Sequence, residues 1–270
     1  MAEEGSSART NIHRLALATP AMPRSPRSNN IDRLLRDWAY EPGRPVVRRA
    51  VGEDGRELLQ MRVDMGVLQL ETTGRPDGEK PEGFPTYYDL LVSAAFQEGT
   101  EFALNAERQQ EVDREFVQFY HRRICWLTLN EYERAAEDAE HSLRLMDFSS
   151  ANAEDRDWAM LHEQYRPFVL FHKVQATALT RLQEDKPEAA VEVIGSGLQS
   201  LAAIFAQHGA EEHYDEDLFV VKLREMQESI KSQFHIGPSL AEQLADAVAT
   251  EQYELAAKLR DRLARKVERK

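Results

Sequence analysis

A mainly α-helical chain with a small α+β amino-terminal part is the fold class this sequence predicts, on three observations. Strict alternation of apolar and polar residues is confined to residues 45–72. From Thr86 onward apolar residues recur at helical spacing, with breaks expected at 148–153, 184–187, 209–217 and 235–238. The final segment, 238–270, opens on Pro238 after Gly237 and reads as two short helices in antiparallel order.

The elements follow in chain order. Residues 1–29 are rich in Ser, Pro, Asn and Arg without apolar period, and a disordered tail is expected there. Residues 31–38 make one short helix, with Asn29 or Asn30 as cap and Ile31, Leu34, Leu35 and Trp38 on one face. Residues 45–51 form a strand, and Gly52-Glu53-Asp54-Gly55 turns the chain. Residues 57–64 alternate through Leu59, Met61 and Val63, Gly66 breaks the run, and Leu68 and Leu70 alternate again. The result is a three-stranded antiparallel meander. Such a sheet buries one face and needs a helix laid across it, which the spacing places from Thr86 through Tyr87, Leu90, Leu91 and Ala94. The domain reading is therefore a tail over 1–29, meander and helices over 30–92, a helical domain over 93–236 and a hairpin over 238–270.

Composition narrows the function classes. The 270 residues are 42% hydrophobic and 30% charged, with mean hydropathy -0.58, as expected of a water-facing chain with an adequate core. No apolar run is read as long enough for a membrane span, and Leu15 to Ala18 is too short for a signal peptide, so a cytoplasmic location is expected. Cys125 lies in the apolar run Ile124-Cys125-Trp126-Leu127; a lone cysteine makes no internal disulfide and is read as buried. Residues 93–237 carry 14 basic and 27 acidic side chains, which is the whole excess behind the net charge of -13. A body of that sign repels phosphate backbones, so direct nucleic-acid binding is not expected.

Two segments of the middle share a grammar. Residues 116–129 form a helix, Asn130-Glu131-Tyr132 turns, and Ala135, Ala139 and Leu143 line a second helix. Residues 168–182 form a helix, 183–186 turn, and Ala189, Ala190, Val193, Ile194 and Leu198 line its partner. Alanine at the crossing point lets two helices approach closely. The order Trp126, Tyr132, Ala135, Ala136, Ala139 resembles a tetratricopeptide repeat. The second copy departs from it, with Thr180 and Lys186 where aromatic residues are expected. Ala135 and Ala189 are also 54 residues apart, wider than the repeat's usual period.

The carboxyl-terminal signal is sharper. Ser239-Leu240-Ala241-Glu242 has the form of a capping box. Leu240, Leu244, Ala247 and Val248 keep helical period, the chain turns near 250–253, and Ala256, Ala257, Leu259, Leu263 and Val267 line the second helix. Glu254 and Lys258 form a favourable surface pair. The run Glu251-Gln252-Tyr253-Glu254-Leu255-Ala256-Ala257-Lys258-Leu259-Arg260-Asp261 resembles the UVR motif of the UvrB and UvrC nucleotide-excision-repair proteins. That motif also occurs in Clp-family unfoldases and in an activator of a bacterial protein-arginine kinase. The resemblance implies a protein-binding hairpin, with Leu240, Leu244, Ala247, Tyr253, Ala256, Ala257, Leu259, Arg260, Asp261 and Leu263 as the partner-binding residues. Two such helices cannot bury both apolar stripes on each other, so a protein partner is expected, either a UVR-containing protein or a second copy, the alternative being that the hairpin packs on its own chain.

Motifs for other chemistry are weak. His162-Glu163 lacks a second histidine, and His208 and His213 beside Asp215, Glu216 and Asp217 read as a solvated acidic loop. Gly195-Ser196-Gly197 sits within helix and lacks the lysine of a phosphate loop. Arg62, Asp64, Gln69 and Glu71 are placed on one sheet face and read as exposed. No cofactor, metal or catalytic residue is expected. The leading expectation is a non-enzymatic adaptor in DNA repair or protein quality control, without membrane contact. The alternatives are an accessory factor of nucleotide excision repair, or an enzyme using Arg62, Asp64 and Asp77 around the sheet.

Overall fold

The structure, a computed structural model, describes residues 30–238 and 240–267. The tail expected over 1–29 lies outside them. An amino-terminal unit ends at Ala39 and a second runs from Tyr40. In the first, α1 (Asp32–Arg36) is helical, with the Asn30 side chain accepting from the Asp32 N–H at 3.3 Å.

In the second unit β1 (Val46–Val51), β2 (Glu57–Val63) and β3 (Gly66–Glu71) form an antiparallel sheet in sequential order. Leu59 opposes Leu70 and Met61 opposes Leu68, so one face is apolar, as the alternation predicts. Gly66 is the first residue of β3 and pairs with Val63 across a two-residue turn.

Among the described residues seven α-helices and a closing helical hairpin follow from Thr86, whose hydroxyl accepts from the Asp89 N–H and caps α2 (Tyr87–Glu98). Then come α3 (Ala106–Thr128), α4 (Tyr132–Asn152), α5 (Arg156–Glu163), α6 (Arg166–Gln183), α7 (Pro187–Gln207) and α8 (Leu218–Phe234). The pair α9 (Leu240–Ala249) and α10 (Tyr253–Val267) closes the chain. In the body α3 packs on α4, α4 on α6, α6 on α7 and α7 on α8.

Four expectations need correction. The helix across the sheet is α3 rather than α2: Ile124, Cys125, Trp126 and Leu127 share one core with Leu59, Met61 and Leu70. α2 packs instead on α3. The break expected at 148–153 is absent up to Asn152, because Ser149 is buried and the Asn152 amide bonds back to the Phe148 carbonyl at 2.8 Å. The crossing alanine of the second helical pair is Ala190, fully buried, and not Ala189. Finally, α7 is long and apolar enough to cross a membrane by length and composition. Here it is a core helix, burying Ala190, Val191, Ile194 and Leu201 against α6 and α8. Gly197 marks its closest approach, since a Cβ there would stand 2.4 Å from Val174 Cγ2.

Candidate interaction site

The hairpin begins where α8 ends. His235 takes the left-handed conformation at φ 53° and the Ile236 N–H reaches back to the Lys231 carbonyl at 2.9 Å, closing the helix. Gly237 and Pro238 follow, and the Pro238 carbonyl accepts from the Gln243 amide at 2.6 Å. Ser239 and the Glu242 side chain, and with them the expected capping box, lie outside the described residues. α9 ends on a second reversal: Glu251 has φ 55° and the Gln252 N–H bonds the Ala247 carbonyl at 2.8 Å.

Each residue assigned to the partner-binding site has a place in this geometry. Ala247, Ala256 and Leu259 are buried together, with Leu240 and Leu244 packed against them. These five hold the two helices on each other. Tyr253 is 67% exposed, Leu255 45% and Val248 52%. Ala257 is exposed, as are Arg260 and Asp261, which pair with each other at 3.1 Å. Leu263 lies on α10, and its side chain is outside the description. Sequence reasoning therefore groups two sets that the structure separates: an internal seam and an outward face. Only the seam has a local signal, the small residues at a turn.

α9 and α10 pack mainly on one another. Beside the end of α8 the hairpin leaves a cleft of about 660 Å³, bounded by Glu228, Ile236, Pro238, Leu255 and Leu259. Leu255 thus borders both the outward face and the cleft.

The polar residues of the sheet and of the turn after it have partners within the chain. Arg62, expected to be exposed, is buried instead, because it caps the β2–β3 turn by donating to the Val63, Asp64 and Gly66 carbonyls. Glu71 holds Arg56 at 3.0 Å. Asp77 accepts from Gln118 at 2.7 Å and pairs with Arg114 at 3.2 Å. Cys125 is fully buried, and burial pushes its thiol up to about 12. His162 is held by Asp113 at 3.0 Å, and burial lowers its pKa. Among the described residues no group of three potential metal ligands converges.

A polar centre that the sequence does not announce ties sheet to helices. Glu115, wholly buried on α3, accepts from the first N–H groups of α2, Tyr87 at 2.6 Å and Tyr88 at 3.0 Å, and meets His141 at 2.9 Å. A carboxylate at a helix amino terminus is favourably placed against the helix dipole. Arg122 grips Asp138 at 2.7 Å and donates to the Gly74 carbonyl at 2.7 Å.

Compared with known families, residues 238–268 match the model of the UvrB/uvrC motif, UVR. The match covers the hairpin, and the tetratricopeptide resemblance of the middle is not confirmed. No curated protein and no solved structure matches the chain.

Proposed function

We propose that this chain, which carries a UVR motif at residues 238–268, is a non-enzymatic adaptor that docks a protein partner or a second copy of itself through the hairpin. The observation that carries the reading is the exposed apolar set Val248, Tyr253 and Leu255 on a hairpin that packs mainly on itself. Burying a large apolar side chain contributes about 1.5–3 kcal/mol. Three such residues contribute at most about 4.5–9 kcal/mol, inside the roughly 4–15 kcal/mol lost on association. Contact with the adjoining cleft at Ile236 and Pro238 would add to the buried area.

The motif ties the chain to UvrB/UvrC-like repair or to protein interaction. Within that range the acidic body favours recruitment through a protein over direct contact with a duplex. An accessory role in nucleotide excision repair and a role in protein quality control both fit a docking hairpin, and a cytoplasmic setting suits either. The test is affinity purification of the full chain against a chain ending at Gly237, with light scattering to read self-association. Partners or self-association lost with the hairpin support the reading. Identical partners and mass for both chains reject it.

A further inference from the structure

Between α3, α5, α6 and α8 the body opens a cavity of about 820 Å³ walled by aromatic side chains, Phe116, Tyr120, Phe168 and Phe219 among them. Arg123 also lines it and is 1% exposed. Its Nε donates to His172 Nδ1 at 3.2 Å and its Nη1 to Ser142 Oγ at 3.1 Å. Both partners are uncharged at neutral pH: burial, then the neighbouring Arg123, lowers His172 to about 3. Among the described residues no carboxylate stands within ion-pair distance of Arg123, since the nearby Asp138 is engaged by Arg122. Buried cations are ordinarily matched by an anion, because the low dielectric penalises an uncompensated charge. Arg122 and Arg75, equally buried in the same body, each have one. His162, 7% exposed, borders the same cavity and is held by Asp113 through Nε2.

We propose that this cavity binds an aromatic or aliphatic carboxylate, with Arg123 as its counter-ion and the aromatic walls enclosing its apolar body. The size is that of ordinary small-ligand pockets, roughly 300–1,000 Å³. A monoanion fits better than a polyanion, because Asp113 is on the same wall. Asp113 is itself held by His162 and by the Trp158 indole at 3.0 Å, which leaves Arg123 as the cation facing the ligand. The same chemistry is offered by a free acid and by the last residue of a peptide.

Isothermal titration of the full chain tests this with 3-phenylpropionate and its amide, and with a short peptide ending in phenylalanine, free and amidated. At least one acid is expected to bind about tenfold or more tighter than its amide, the contribution of a charge-assisted hydrogen bond. Which acid does so identifies the source. Arg123→Met should abolish the preference. Because removing a buried side chain can unfold the body, Val117→Glu is the second variant, at a half-exposed position on the cavity wall. It should weaken the acid several-fold more than the amide and preserve Tm. Equal binding of acids and amides, no binding of either, or an acid preference untouched by Val117→Glu overturns the proposal.

Discussion

Ala256 is buried five residues beyond Glu251, the left-handed residue that turns α9 into α10. The same interval separates Asn130 from Ala135 and Asp185 from Ala190, and all three alanines are buried. In each case the N–H after the left-handed residue bonds a carbonyl five positions earlier, as from Glu131 to Trp126 and from Lys186 to Arg181. One closing geometry fixes where the next helix first faces the last, and only a small side chain fits there. Ala256→Leu should therefore wedge the hairpin open. A cost of about 1–3 kcal/mol is expected, read as lost hydrogen-exchange protection across α9 and α10 with the body unchanged.

A left-handed conformation strains any residue with a Cβ by about 1–2 kcal/mol, while glycine adopts it freely. Asp185, at φ 57°, is exposed in its turn. Asp185→Gly is expected to stabilise the body by up to about 1 kcal/mol in urea denaturation. The equivalent change at a mid-helix site should do the opposite.

Two glycines of α7 answer alanine substitution with opposite signs. At Gly195 a Cβ would meet only Gln227 Nε2, at 3.5 Å, so Gly195→Ala should stabilise by about 0.5–1 kcal/mol through helix propensity. At Gly197 it would collide with Val174, whose branched side chain cannot step aside. Gly197→Ala should cost about 1–3 kcal/mol. Thermal denaturation of both variants distinguishes them.

Acidification should destabilise the body through its buried histidines. His172 has a folded pKa lowered to about 3 from 6.5, chiefly by burial, and His162 and His121 shift the same way. The unfolded chain then binds more protons than the folded one below pH 6.5. Stability present above that pH is lost as pH falls, down to the folded value. His172 alone should account for on the order of 1–2 kcal/mol between pH 7 and 5. Urea midpoints across that range check it, and His172→Gln should flatten the slope by about one proton.

The strands were legible because Leu59, Met61, Leu68 and Leu70 alternate against polar neighbours, a signal carried within each segment. Which helix covers them is not local information: Ile124 and Trp126 lie some sixty residues further on, in a helix whose own pattern fits several partners. Ser149 and Ser150 read as a break because serine favours turns. Tertiary burial of Ser149 overrides that preference. The hairpin's seam was legible from its alanines, but the division between Leu259, which holds the hairpin, and Tyr253, which faces outward, depends on how α10 is rotated. The cavity around Arg123 draws on four helices separated in sequence, and nothing in the chain marks one arginine among Arg122 and Arg123 as the one without a carboxylate.

That division between seam and face gives the most direct test of docking through the hairpin. Tyr253→Ala with Leu255→Ala, made in the full chain, removes outward side chains and leaves Ala247, Ala256 and Leu259 packed. Hydrogen exchange reports whether the hairpin stays folded, and quantitative pull-down with light scattering reports association. The expected result is unchanged protection in α9 and α10 together with at least about tenfold weaker association. Association at full strength with the hairpin still folded would contradict docking through this face.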